Sequence, residues 1–230
     1  MTFIDTNNGS LRFESQAQVV NPPRIETWFW IRESASVTPT AAAFHKAFAQ
    51  LGHLAELAAA RSKQRQGSYS DEWITPEAVY RELEAFFGPW DLDPCVPSDC
   101  GQWPWLLGPK TVYALPDSDG LASDPWPGRT IFLNPPYSQV ELWMARAMLE
   151  LARGGRRFLV ALLPASVDRG WFEVLGRVAT SIAASRGRIR FIDPAQGRTA
   201  PRAGSLLLCF HGPDLGLAID PNETKEGALS

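Results

Sequence analysis

A β-favouring run that cannot continue is the strongest constraint on this chain. Ile131, Phe132 and Leu133 run into Asn134-Pro135-Pro136-Tyr137-Ser138. Proline has no N–H to give to a sheet ladder and its ring fixes φ, so the strand ends at Asn134. Its carboxyl end therefore carries a rigid turn, polar first and aromatic after. Around it, short apolar runs alternate with amphipathic stretches, and Phe158 to Leu163 is apolar throughout, the pattern of a strand covered on both faces. This alternation predicts a mostly parallel, doubly wound α/β sheet. Sheets of this kind take their ligands at the carboxyl ends of strands.

The remaining elements follow from periodicity and punctuation. Thr38-Pro39 opens a helix whose Phe44, Phe48, Leu51, Ala55 and Ala58 recur on one face. A polar, basic stretch from Arg61 to Ser70 reads as a loop. Thr75-Pro76 caps a second helix, with Val79, Leu83 and Phe86 inward and Gly88 as its stop. Trp90 to Asp93 reads as a short strand ending at Pro94, and Thr111 to Leu115 as another. Ser138 and Glu141 have capping-box spacing for a helix carrying Val140, Trp143, Met144, Ala147 and Leu151, ended by Gly154-Gly155. Asp168 starts a short helix with Trp171, Phe172 and Leu175. Closely spaced strands near 179–184, 188–192 and 205–210 predict an antiparallel edge. Trp28, Phe29 and Trp30 form an aromatic cluster suited to packing or to an interface. The organisation expected is an N-terminal extension with one amphipathic helix over 1–66, a catalytic domain over 67–212, and an acidic tail over 213–230.

Composition excludes several classes. No stretch approaches the length of a membrane span, and no signal segment opens the chain, so no membrane association is expected. Three cysteines give no disulfide framework and point to a reducing cytoplasm. Cys95 and Cys100 lack the second Cys/His pair of a zinc site, so no metal is expected. Oligomeric state is not specified by the sequence. The net charge is −3, but it is unevenly spread. Gly67 to Glu150 holds thirteen acids and four bases, whereas Leu151 to Phe210 holds ten arginines and three acids. Arg61, Lys63 and Arg65 add a second basic run. Clustered bases of this kind are the footprint of a nucleic-acid partner.

The turn at 134–137 has a specific chemical meaning. An exocyclic amine on a nucleobase is a poor nucleophile, because its lone pair is delocalised into the ring. The Asn134 side-chain carbonyl and the Pro135 backbone carbonyl can each accept one N–H of such an amine. Two acceptors favour tetrahedral nitrogen and place negative dipoles where positive charge develops. Pro135 and Pro136 hold that backbone in place, and Tyr137 can stack on the base. Asn-Pro-Pro-Tyr at a strand end is thus the mark of enzymes that methylate exocyclic or amide nitrogen. The methyl donor would sit at adjacent strand ends. Asp93, with Pro94 and Cys95, offers a carboxylate for an amino group or ribose hydroxyl. Asp119-Gly120 offers a carboxylate or amide for an adenine amine. No Gly-rich phosphate loop occurs, which favours a nucleoside donor without phosphates. Trp73 offers an indole wall, and Thr75-Pro76 a helix start suited to the donor's carboxylate.

Taken in order, these blocks resemble the phage-type (Dam-like) DNA N6-adenine methyltransferases. The resemblance rests on Asp71-Glu72-Trp73-Ile74-Thr75-Pro76, Leu92-Asp93-Pro94-Cys95, Asp119-Gly120-Leu121 with Trp126, and Asn134 to Ser138. It continues through Leu162-Leu163-Pro164-Ala165, Asp168 with Trp171-Phe172, Gly187 to Phe191, and Gly204 to Leu207. It spans roughly 71–210. It implies a Rossmann-like fold, S-adenosylmethionine as donor, double-stranded DNA as substrate, and catalysis at Asn134, Pro135, Pro136 and Tyr137. It also implies that Trp73, Thr75, Asp93 and Asp119 lie near the donor. Pro94-Cys95-Val96-Pro97 stands where the broader methyltransferase class has a glycine-rich turn. Arg65, Arg169, Arg186 and Arg188 are the first candidates for DNA phosphates. Three other readings use the same residues: cytosine N4 methylation, methylation of a protein glutamine amide, and a catalytically inactive DNA-binding protein on the same scaffold.

Overall fold

The computed structural model describes residues 2–4, 12–14, 27–32, 38–62, 73–97, 100–114, 119–193, 199–201 and 204–214. β1 (Thr2–Ile4) and β2 (Arg12–Glu14) pair antiparallel with each other. The chain continues through β3 (Trp28–Arg32), α1 (Ala41–Ser62), α2 (Glu77–Phe87), β4 (Leu92–Val96), β5 (Thr111–Ala114) and β6 (Thr130–Leu133). It then forms α3 (Val140–Ala152), β7 (Phe158–Pro164), α4 (Gly170–Val178), β8 (Ser181–Ser185), β9 (Arg190–Ile192), β10 (Thr199–Pro201) and β11 (Ser205–His211).

Seven strands make one sheet in the order β3-β8-β11-β7-β6-β4-β5. β5, β4, β6 and β7 are parallel neighbours, and β11 runs antiparallel between β7 and β8. The antiparallel part lies at one flank, but it is not simply the last strands in sequence. β11 goes inside, because Leu206-Leu207-Leu208-Cys209-Phe210 is apolar on both faces and needs cover on both. β9 leaves the sheet to pair with β10. The outer strand is β3, antiparallel to β8, so the Trp28-Phe29-Trp30 cluster is an edge strand with its alternate residues turned to solvent.

Both faces of the sheet are covered. Alternate residues of β7 (Leu159, Ala161, Leu163) and β11 (Leu206, Leu208, Phe210) meet α1, α3 and α4 on one side. Val160, Leu162, Leu207 and Cys209 meet Trp28, α2 and Trp103 on the other. This is the period of two expected of strands buried on both sides. β3 in the sheet and α1 in the helical layer place residues 27–32 and 41–62 in the same packed layers as the later elements.

Several local expectations change. α1 is capped by Thr40, whose Oγ1 accepts from Ala43 N at 3.2 Å, rather than by Thr38. Its inward stripe is Phe44, Ala47 and Leu51, and Phe48 is 37% exposed. α2 buries Tyr80, Leu83 and Phe87 rather than Val79 and Phe86, and Gly88 ends it at φ +92°. β4 does not end at Pro94 but runs to Val96, since a register shift between Asp93 and Val96 accommodates the missing N–H. The capping box at Ser138 and Glu141 does not form. A single 3₁₀ turn at Tyr137–Gln139 precedes α3, and no side-chain cap bond is made at either helix start. α3 nonetheless buries Val140, Trp143, Met144, Ala147 and Leu151 as the sequence spacing predicts.

Candidate active site

β4 and β6 are neighbours, yet the chain leaves β4 for β5 on one side and returns to β6 on the other. Their ladder is limited to Leu92 opposite Ile131. Such a reversal of strand order opens a crevice at the carboxyl ends of the strands. Asp93 is the second residue of β4, one position beyond the Leu92–Ile131 pair, and Asn134 directly follows β6.

The Asn134 amide is held in one orientation. Its Nδ2 donates to the Trp73 backbone carbonyl and to Thr75 Oγ1, each at 3.0 Å. A backbone carbonyl can only accept, so nitrogen must face Trp73 and Oδ1 must face away. That Oδ1 is buried and accepts no hydrogen bond from any described residue. Buried carbonyl oxygens are almost always paired, so an orphaned one marks a place for an external donor. Nearby, the Pro136 carbonyl is used by Gln139 N at 2.9 Å, whereas the Pro135 carbonyl takes no backbone bond among the described residues. Tyr137 packs edge-on against buried Phe191, with ring centroids 6.0 Å apart. Phe191 belongs to β9, whose Ile192 exchanges two backbone bonds with Ile74 at 3.0 and 3.1 Å. The segment that grips Asn134 is thereby tied to the segment that supports Tyr137.

The structure assigns Thr75 a job different from the one its sequence position predicts. Pro76, not Thr75, is the N-cap residue of α2, and no side chain caps that helix. Thr75 is 2% exposed, with its hydroxyl on Asn134 and its carbonyl accepting from Trp105 Nε1 at 3.0 Å. Helix caps and asparagine clamps use the same hydroxyl, and sequence does not distinguish them.

Asp93 is buried, and burial pushes its carboxyl up to about 7, opposed by the Cys95 N–H that donates to Oδ1 at 3.0 Å. Buried carboxylates with raised pKa values cluster at functional sites. Tyr80 on α2 has a buried hydroxyl with no partner among the described residues, and burial followed by the Asp93 charge raises its pKa. Sequence reasoning missed Tyr80, because a tyrosine on an apolar helix face reads as packing. Asp119 makes a tight local turn, with Leu121 N donating to Oδ1 at 2.8 Å. Gly120 lies against β4 so closely that a Cβ there would be 2.0 Å from the Pro94 carbonyl oxygen. The Asp93-Pro94-Cys95 and Asp119-Gly120 blocks thus meet.

The arginines divide between the two edges of the sheet. Arg153 and Arg157 both bind buried Glu150, Arg156 binds Asp214, and Arg177 binds Glu173. These four sit away from the crevice and neutralise acids. Arg169 follows β7, and Arg186 follows β8, both at the carboxyl edge that also carries Asn134. Arg169, Arg186, Arg188 and Arg190 are exposed and make no ion pair among the described residues. Arg186 lies over the Phe29 ring at 5.6 Å. Arg65, Arg198, Arg202 and residues 63–72 lie outside the described residues. Among the described residues no helix is long and apolar enough to cross a membrane, and no group of His, Cys, Asp and Glu could hold a metal ion.

An acceptor-bearing turn beside a buried carboxylate, at the reversal point of an open sheet, suits transfer of a small electrophile to a planar amine. Known proteins agree with that chemistry. The DNA N-6-adenine-methyltransferase (Dam) family matches residues 62–213, well over half of the chain. A DNA N-6-adenine-methyltransferase of Haemophilus phage HP1 is 29% identical over 132 residues, covering 56% of this chain and 71% of the phage protein. A DNA N-6-adenine-methyltransferase of Escherichia phage T1 is 25% identical over 171 residues, covering 69% of this chain and 66% of that protein. No solved structure matches. This chain belongs to the DNA N-6-adenine-methyltransferase (Dam) family.

Proposed function

We propose that this protein methylates the N6 amine of adenine at specific sites in double-stranded DNA, with S-adenosylmethionine as donor. The observation that carries the reading is the Asn134 amide, clamped by its nitrogen and presenting a buried, unpartnered oxygen. Asn134 Oδ1 and the Pro135 carbonyl accept the two N–H bonds of the target amine. Pro135 and Pro136 keep the second acceptor fixed, so no reorganisation is needed as charge develops. Tyr137, steadied by Phe191, stacks on the base. A paired adenine hides its amine, so the base leaves the duplex to enter the crevice, at an expense of a few kcal/mol that stacking and hydrogen bonding offset.

The crevice residues fit the donor. When bound, S-adenosylmethionine supplies an electrophilic methyl carbon. Asp93 offers a carboxylate to its amino group or ribose hydroxyls, and the Asp119-Gly120 turn offers backbone and carboxylate groups to its adenine. Trp73 and Thr75 border the same space through their hold on Asn134, and Pro76 follows them at the start of α2. The switch-point crevice is the feature expected of a Rossmann-like methyltransferase domain, here over 67–212. Arg169, Arg186 and Arg188, with Arg190, share the carboxyl edge with Asn134 and meet the phosphates flanking the extruded base; Arg65 would extend that contact. The protein acts in the cytoplasm of a bacterial or phage-infected cell.

Duplex DNA of mixed sequence is incubated with methyl-labelled S-adenosylmethionine, then digested to nucleosides. Label in N6-methyl-2′-deoxyadenosine supports the reading, and label in N4-methyl-2′-deoxycytidine transfers the activity to the other exocyclic amine. Label appearing on protein glutamine and not on DNA removes the proposal.

A further inference from the structure

The turn that contains Asp119 and Gly120 is latched from behind by α3, the helix that begins just beyond the catalytic turn. Trp126 is fully buried, and its Nε1 donates to the Gly120 carbonyl at 2.7 Å. Its indole lies under the Arg146 guanidinium, 5.7 Å from the ring centroid. The same guanidinium donates to the Ser123 carbonyl at 2.6 Å and to Asp124 Oδ1 at 3.0 Å. Arg146 is in turn fixed by Glu150 one turn on, which is wholly buried and also bound by Arg153 and Arg157. Residues 120, 123 and 124 are therefore all tied to one helix face, and Gly120 is pressed against the Pro94 carbonyl with no room for a side chain.

Arg146 is not part of the apolar stripe of α3, which is made by Val140, Trp143, Met144, Ala147 and Leu151. A half-buried guanidinium that serves one backbone and one carboxylate acceptor in a neighbouring loop is an arrangement for holding that loop. We propose that Trp126 and Arg146 are positioning residues for the methyl donor. They set the Asp119-Gly120 turn at a fixed distance from Asp93, and α3 carries that setting to the catalytic turn at its own start. This inference rests on the proposed donor site.

The test is calorimetric binding of S-adenosylhomocysteine to the full chain, beside steady-state kinetics. Trp126→Phe keeps the buried ring but removes the N–H, and Arg146→Lys keeps the charge beside Glu150 but draws the donor nitrogen back from Ser123 and Asp124. Loss of a single such hydrogen bond is expected to weaken binding about three- to tenfold. KM for the donor should rise by the same factor, with kcat and KM for DNA within about twofold of wild type. A purely structural role would lower the melting temperature and the active fraction while leaving affinity and KM for the donor unchanged; that result overturns the inference. If Trp126→Phe does not fold, Arg146→Lys decides alone. Wild type that fails to bind S-adenosylhomocysteine would instead overturn the donor site itself, which separates the two failures.

Discussion

Thr75 Oγ1 and Asn134 Nδ2 are 3.0 Å apart, although the residues are separated by 59 positions in the chain. The Trp73 carbonyl fixes which end of the amide faces away, and the Thr75 hydroxyl is the second group that holds the amide there. Thr75→Val keeps the shape and leaves the amide with Trp73 alone. It should lower kcat about tenfold, near the worth of one buried hydrogen bond, with donor affinity unchanged. Thr75→Ser should recover most of the loss. Equal kcat in all three proteins would remove the clamp from the account of catalysis.

Asp93 makes pH dependence run in two directions. Burial raises its carboxyl from 3.8 to about 7 in the folded protein. Between those values the folded state holds a proton that the unfolded chain has released. The stability it contributes is complete below 3.8 and drains away as pH rises through about 7. Donor affinity should move the other way, because hydrogen bonding to amino and hydroxyl groups calls for the ionised carboxylate. Denaturation of the ligand-free protein across this range should slope downward, and Asp93→Asn should flatten both that slope and the rise in affinity. Identical profiles for wild type and variant would contradict both assignments.

Gly120→Ala tests the meeting of the two donor blocks. A Cβ at 2.0 Å from the Pro94 oxygen cannot be accommodated without moving backbone. The variant should be destabilised by about 1–3 kcal/mol and should bind S-adenosylhomocysteine at least tenfold more weakly, by thermal melting and calorimetry. Wild-type affinity would show that the turn is not part of the donor wall.

Two arginines should behave oppositely. Arg188 is exposed, and Arg188→Ala should weaken duplex binding and lower the salt slope by about 1, with stability unchanged. Arg157 is buried against Glu150, and Arg157→Ala should cost about 3 kcal/mol or more of stability while leaving the salt slope intact. Fluorescence anisotropy over a salt series, beside denaturant melts, separates the two effects.

What the sequence carried was local. The prolines at 135 and 136 end β6 where they must, the apolar run of β7 lies inside the sheet, and the α3 stripe is inward as spaced. What it could not carry depended on distant partners. Thr75 looks like a helix cap until Asn134 arrives from another strand. Pro94 looks like a strand end until a register shift absorbs it. The arginine-rich half looks uniformly basic, yet among the described residues Glu150 and Asp214 pair with Arg153, Arg156 and Arg157, whereas Arg169, Arg186, Arg188 and Arg190 are exposed and make no ion pair. The aromatic run at 28–30 gives no sign that it is an edge strand, because its partner β8 lies far along the chain.

The most direct measurement compares wild type with Asn134→Ala using labelled S-adenosylmethionine and duplex DNA, scoring N6-methyl-2′-deoxyadenosine and donor affinity on the same preparations. Wild type should place label on adenine N6, and the variant should place none while binding S-adenosylhomocysteine as wild type does. Full methylation by Asn134→Ala would contradict the role given to the clamped amide oxygen.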